Sequence, residues 1–165
     1  VHTAGLCVWF LALPHLALAD TTAIGFTTPI FIMLGAWLFF REAMRWERWL
    51  AASIGFVGVL IVVAPKLQMG SWYSLLMLLS SPLFAASFLI TKALTRYETA
   101  GVIVLWQAIT VTALSLPLAL PFWQAPSTWQ WCLSLVCGLL GSAGHYCLTR
   151  AYTVTDISAT QSVTV

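Results

Sequence analysis

The chain is written as long apolar runs, interrupted only where charged residues gather. A helix needs about 20 predominantly apolar residues to cross the hydrocarbon core of a bilayer. Measured between charge clusters, segments of that kind fall at about residues 4–18, 21–40, 49–64, 72–94, 100–120 and 131–151, and a seventh opens near Ile157. The links between them are short: one around Asp20, then Arg41–Arg48, Lys66–Ser71, Lys92–Glu98, Pro121–Gln130 and Arg150–Asp156. Membrane-spanning strands would alternate apolar and polar residues in short stretches. These runs are continuous, so helices, which satisfy their own backbone groups, are the expected element. Short links make sequence neighbours antiparallel. The expected fold is an all-α membrane protein, a polytopic helical bundle crossing about six times.

Composition supports the same solvent. Hydrophobic residues make up 61% of the chain and charged residues 7%, where a soluble domain carries about 25% charged residues. That leaves too little polar surface to cover a water-soluble fold, so the first partner is the lipid bilayer. The net charge of +2 is spread thinly, with no basic cluster to grip a phosphate backbone, which argues against nucleic acid. Cys7, Cys132, Cys137 and Cys147 show no CxxC spacing and sit in apolar runs. They are expected to act as small apolar residues rather than metal ligands or disulfides. The sequence contains no Walker loop, HExxH, GxSxG or intramembrane carboxylate pair, so neither an enzyme nor a cofactor is expected. A channel would carry a charged ring or a filter.

Orientation follows from an independent count. Arg41, Arg45, Arg48, Lys92, Arg96 and Arg150 lie in alternate links, and the remaining links hold only Lys66. The positive-inside rule places the Arg-rich links in the cytoplasm. Trp46, Trp49, Trp72, Trp123, Trp129 and Trp131 fall at segment ends, where amphipathic rings favour the interface. The expected location is a bacterial inner (cell) membrane.

Several residues could carry function. Asp20 and Asp156 each stand before an expected helix, which suits an N-cap; the rival role is gating or substrate contact. Pro29 sits inside the second segment and should kink it, leaving a freed carbonyl, Thr27 and Thr28 to face a cavity. Pro82 and Pro117 raise the same question. His15 and His145 are ionisable groups within apolar runs, and such groups are functional candidates. Gln107, Tyr152 and Gln161 are further polar candidates. Ala51/Gly55 and Ser134/Gly138/Ser142, extended by Gly58 and Gly141, have the small-residue spacing that lets helices pack closely.

The two ends of the chain resemble each other. With Asp20 set on Asp156, Thr22 meets Ser158, Ala23 meets Ala159 and Thr28 meets Thr164. By the charge count the two copies face opposite sides, as in inverted-repeat transporters. Leu18–Phe31 (LADTTAIGFTTPIF) with Arg41–Pro65, and Gly141–Ala159 (GSAGHYCLTRAYTVTDISA), resemble the EamA-type drug/metabolite transporter superfamily. Glu42 matches the acidic residue that family carries after its Pro-containing helix, and Gly55 and Gly58 match its Gly-rich next helix. The resemblance implies ten helices in two inverted five-helix repeats. Residues 1–65 would be helices three to five, and residues 69–165 helices six to eight and the start of nine. With no initiator Met at Val1 and a helix just opening before Val165, the sequence reads as an internal fragment. The resemblance further implies a small-molecule substrate (an amino acid, metabolite or drug) and coupling to a proton or ion gradient or exchange; a homodimer stays open. Cavity candidates carried over are Trp9, Thr22, Thr27, Pro29, His145 and Gln161, with Asp20, Glu42 and Asp156 as motif residues. At the position of Pro29 the second copy has Val165. The function expected is a secondary carrier working by alternating access. The alternatives are a non-transporting helical membrane subunit, and a membrane enzyme whose catalytic residues lie outside this stretch.

Overall fold

Apolar sequence becomes helix along most of its length in the computed structural model, which describes residues 1–42, 46–67, 72–157 and 160. The helices are α1 (His2–Ala12), α2 (Leu18–Gly25), α3 (Thr28–Phe40), α4 (Trp46–Leu67), α5 (Trp72–Leu94), α6 (Ala100–Ala119) and α7 (Thr128–Val154). A further helical stretch opens at Ile157. Among the described residues, four helical stretches are long and apolar enough to cross a membrane: Leu18–Phe40, Trp72–Leu94, Ala100–Phe122 and Thr128–Val154.

Several boundaries differ from those expected, each for a local reason. The first segment stops at Ala12, because Pro14 turns Leu13–His15 into a 3-10 helix. The chain then re-enters helix at Leu18, ahead of Asp20 rather than behind it. α4 begins at Trp46 and continues past Pro65 to Leu67. α7 begins three residues before Trp131, and a capping box explains why. The Ser127 N–H donates to Gln130 Oε1 at 2.8 Å, and the Gln130 N–H donates to Ser127 Oγ at 3.3 Å. Two otherwise orphaned N–H groups are satisfied by that exchange.

Two compact units divide the chain: residues 1–90 with 155–165, and residues 91–154. In the first, α2 packs on α4, and α5 meets α1 and α3 through particular side chains. A Cβ placed on Gly35 of α3 would run into Leu89 Cδ1, and one on Gly5 of α1 would lie 3.3 Å from the Phe84 ring. Hydrogen at these two positions lets the helices approach. His2 Nδ1 lies 3.1 Å from Ser87 Oγ, and its ring meets Phe84 edge-on. Ala12, Ala23, Ile24 and Met77 form a buried apolar cluster, with Trp9, Leu16 and Leu76 packed against it. The buried face of α5 here is rich in hydroxyls, at Ser74, Ser80, Ser81 and Ser87.

In the second unit α6 and α7 pack on each other. Only Ala100, Ile103, Thr149 and Tyr152 among the described residues of these two helices are buried. Leu105, Trp106, Leu139 and Leu140 are exposed. The Lys92 ammonium donates to the Tyr152 carbonyl in the last turn of α7. A cation there is favoured by the helix dipole.

The close-packing glycines are not the expected ones. A Cβ on Gly58, Gly138 or Gly141 would meet nothing within 4 Å. Small-residue spacing permits a close approach without naming the partner; the close approaches described here are made by the lone glycines Gly5 and Gly35. Gly35→Val should therefore destabilise the first unit by about 1–3 kcal/mol through overpacking against Leu89. Leu89→Ala should recover most of that loss when both are combined; unfolding in mild detergent, followed by tryptophan emission, measures it.

Candidate functional site

The second apolar segment does not bend at Pro29; it breaks. α2 ends at Gly25, and α3 starts at Thr28 with Pro29 in its first turn. A proline there costs no intrahelical bond, because first-turn N–H groups have no helical acceptor. Its fixed φ starts the new helix, and it has no N–H to offer the Gly25 carbonyl four residues back. The chain between is held by tight turns. The Thr27 N–H donates to Ile24 O at 3.0 Å, and the Ile30 N–H donates to Thr27 O at 3.1 Å.

Thr27 is the centre of this break. It is 2% exposed, its hydroxyl donates to Ile24 O at 2.7 Å, and it is bonded to the Ser81 hydroxyl at 2.8 Å. Ser81, 1% exposed, immediately precedes Pro82, which is inside α5. Pro82 likewise has no N–H for the carbonyl four residues back, at Leu78. Beside it the Ser80 hydroxyl donates to Met77 O at 2.6 Å. Thus a helix that proline begins and a helix that loses one backbone bond to proline are tied to each other at that place by a pair of buried hydroxyls. Broken helix at membrane depth is tolerated only where protein or a water-filled cavity covers it.

Other candidates gather around this point or fall away from it. Asp20 lies 5% exposed in the first turn of α2, not at its cap; Ala17 takes the cap position in extended backbone. The acid still suits the positive end of the helix. The neighbouring Thr21 and Thr22 hydroxyls turn back to the carbonyls of Ala17 and Leu18, and Thr22 is exposed. Trp9 packs on the apolar cluster and meets Phe10 edge-on at 5.0 Å. Pro29 is half-buried. His15 stacks on Tyr73 with ring centroids 3.9 Å apart. His145 belongs to α7 in the second unit, half-buried, so it does not share a compact unit with Thr27. Gln161 lies outside the described residues, as do Ser158, Ala159, Thr164 and Val165 of the proposed second copy. Asp156 does stand directly before a helix, and its carbonyl accepts the Thr160 N–H at 3.2 Å. Glu42 reaches that same helix start: its Oε1 accepts the Ile157 N–H at 3.0 Å.

Sequence reasoning missed Ser81 and Ser127. The first had one available signal, its place before a proline in an apolar run. The second had the Ser-x-x-Gln spacing. Among the described residues no three His, Cys, Asp or Glu side chains gather as metal ligands. The described cysteines are unbridged. Chemically the Thr27–Ser81 pair offers two buried hydroxyls, groups that can donate to or accept from a polar solute.

Residues 1–64 match the EamA-like transporter family. That stretch of the chain belongs to it. Four helices of crossing length and this kinship make the chain an integral, multi-pass membrane protein. Curated proteins similar to the chain include a riboflavin transporter of Rhizobium johnstonii, 35% identical over 95% of this chain and 52% of the relative. An S-adenosylmethionine uptake transporter of Rickettsia prowazekii is 27% identical over 94% of this chain and 53% of its own length. A pseudopaline exporter of Pseudomonas aeruginosa is 30% identical over 89% and 52%. The chain thus spans about half the length of the curated relatives it matches. No solved structure matches it.

The hydroxyl pair gives a measurable coupling. A double-mutant cycle of Thr27→Val and Ser81→Ala should show an interaction near the roughly 0.6 kcal/mol average for interhelical hydrogen bonds in membranes. Strictly additive losses in detergent unfolding would mean the two hydroxyls do not share a bond.

Proposed function

We propose that the protein carrying this chain is a secondary carrier of a bacterial inner membrane. It takes up a small solute with a planar heteroaromatic ring and a hydroxylated chain or sugar. The observation that carries this is the buried break at Thr27, in a membrane-spanning stretch of a chain whose first 64 residues belong to a transporter family. Carriers of the inverted-repeat kind place their binding sites at discontinuous helices near the middle of the bilayer.

The solute class is supported by two named relatives. Riboflavin and S-adenosylmethionine differ in charge, yet both join a nitrogen heterocycle to a hydroxyl-bearing chain or ribose. The candidate site has matching groups. Trp9 provides an aromatic face, and Thr27 with Ser81 provides hydroxyls that can exchange their mutual bond for bonds to a solute hydroxyl. Such an exchange leaves no buried polar group unsatisfied, which would otherwise cost about 1–3 kcal/mol. Alternating access then consists of making and closing this site from either side, with coupling to a proton or ion gradient as its energy source.

Uptake of labelled riboflavin and of labelled S-adenosylmethionine by vesicles holding the full-length protein tests the proposal. One of the two should accumulate above protein-free vesicles. Thr27→Val should lower that uptake about 3–30-fold, the consequence of one lost solute hydrogen bond. Failure of both solutes to accumulate, with the protein folded in the vesicle membrane, would remove the proposed substrate class.

A further inference from the structure

Helix starts are ordinarily capped locally, by the side chain of the residue just before the first turn. At Ile157 the acceptor comes from 115 residues away. Glu42 Oε1 takes the Ile157 N–H at 3.0 Å. The bond from the Thr160 N–H to the Asp156 carbonyl shows that the helix has begun at this point, so the Ile157 N–H is one of the donors a helix cannot satisfy internally. Ile157 is 0% exposed, and water is not at hand to replace a lost partner. A carboxylate is the favoured acceptor at a helix N-terminus.

A second observation lies one residue before Glu42. Arg41 has φ 53° and ψ 33°, and among the described residues it is the one non-glycine with positive φ. Both its N–H and that of Glu42 turn back to the Ala36 carbonyl at the end of α3. L-residues with a side chain avoid this conformation, and it persists where the surrounding structure demands it. Here it turns the chain sharply off α3 and delivers Glu42 to Ile157.

We infer that Glu42 is a positioning residue. From the first repeat it sets the start of the helix that opens the last part of the second, and it holds that end of the bundle in one of the carrier's two arrangements. The two-arrangement part rests on the alternating-access proposal above; the positioning part does not. Repeats that rock against each other must break the contacts joining them at the end that opens. A charge-assisted bond of this kind is strong enough to bias a two-state equilibrium by about tenfold or more, and weak enough to be broken by a bound solute.

The test uses the full-length protein in membrane vesicles, with Cys7, Cys132, Cys137 and Cys147 replaced and a reporter introduced by Ile157→Cys. The backbone N–H survives that change. Alkylation of the reporter should be slow with Glu42 in place, about tenfold faster with Glu42→Ala, and intermediate with Glu42→Gln, which keeps the shape and an acceptor oxygen without the charge. Equal rates in all three backgrounds would overturn the inference. Should Glu42→Ala fail to reach the membrane, the Glu42→Gln comparison decides alone, and an unchanged rate there is equally fatal. Alkylation needs no transported solute, so the two proposals fail separately. A vesicle that takes up solute with an unchanged reporter rate keeps the carrier and removes the role of Glu42. A faster reporter in a protein that moves no solute keeps the positioning role and removes the carrier.

Discussion

Lipid offers a peptide group nothing to bond to, and that single fact governs this chain. Every stretch that enters the hydrocarbon must satisfy its own N–H and C=O groups or be covered where it fails. Continuous helix is the default answer along α5, α6 and α7. The informative places are those where it fails. Proline interrupts the ladder at the start of α3 and inside α5 and α6. At the first two of these a hydroxyl stands beside the interruption, Thr27 in one and Ser80 and Ser81 in the other. The Thr112 hydroxyl, five residues before Pro117, bonds back to Ala108 O at 2.9 Å.

The charged residues obey a related rule. A charge in or near lipid needs a complementary group, and helix ends supply partial charges of either sign. Asp20 sits in the first turn of α2, and the Lys92 ammonium meets a last-turn carbonyl of α7. Glu42 meets a first-turn N–H. In each case the sign of the side chain opposes the sign of the helix end. With 7% of residues charged, these three stand out as charges placed at helix ends.

What the sequence made legible was what depends on local composition. Apolar run length was enough for helix and for the membrane, and the segments at 72–94 and 100–120 were placed almost to the residue. Boundaries governed by a local signal were legible in principle and overlooked in practice. Pro14 ends the first helix early, and Ser127 with Gln130 starts α7 early. Contacts that depend on three-dimensional arrangement were not legible. Nothing in the neighbourhood of Gly35 says that Leu89 will lie over it, and nothing around Ser81 names Thr27. Glu42 was singled out by resemblance alone; its partner, a backbone N–H 115 residues away, has no side-chain identity for a sequence to display. The candidate site was half foreseen. Thr27 and Asp20 were named, while the outcome at Pro29 differed because a proline in a first turn founds a helix instead of bending one.

The capping box at Ser127 has a consequence for biogenesis. α7 carries both halves of its N-terminal cap within four consecutive residues, so the capping of its first turn calls on no distant part of the chain. The turn at Ile157 is the opposite case, because its acceptor was made 115 residues earlier and must be kept within reach while everything between is threaded into the membrane.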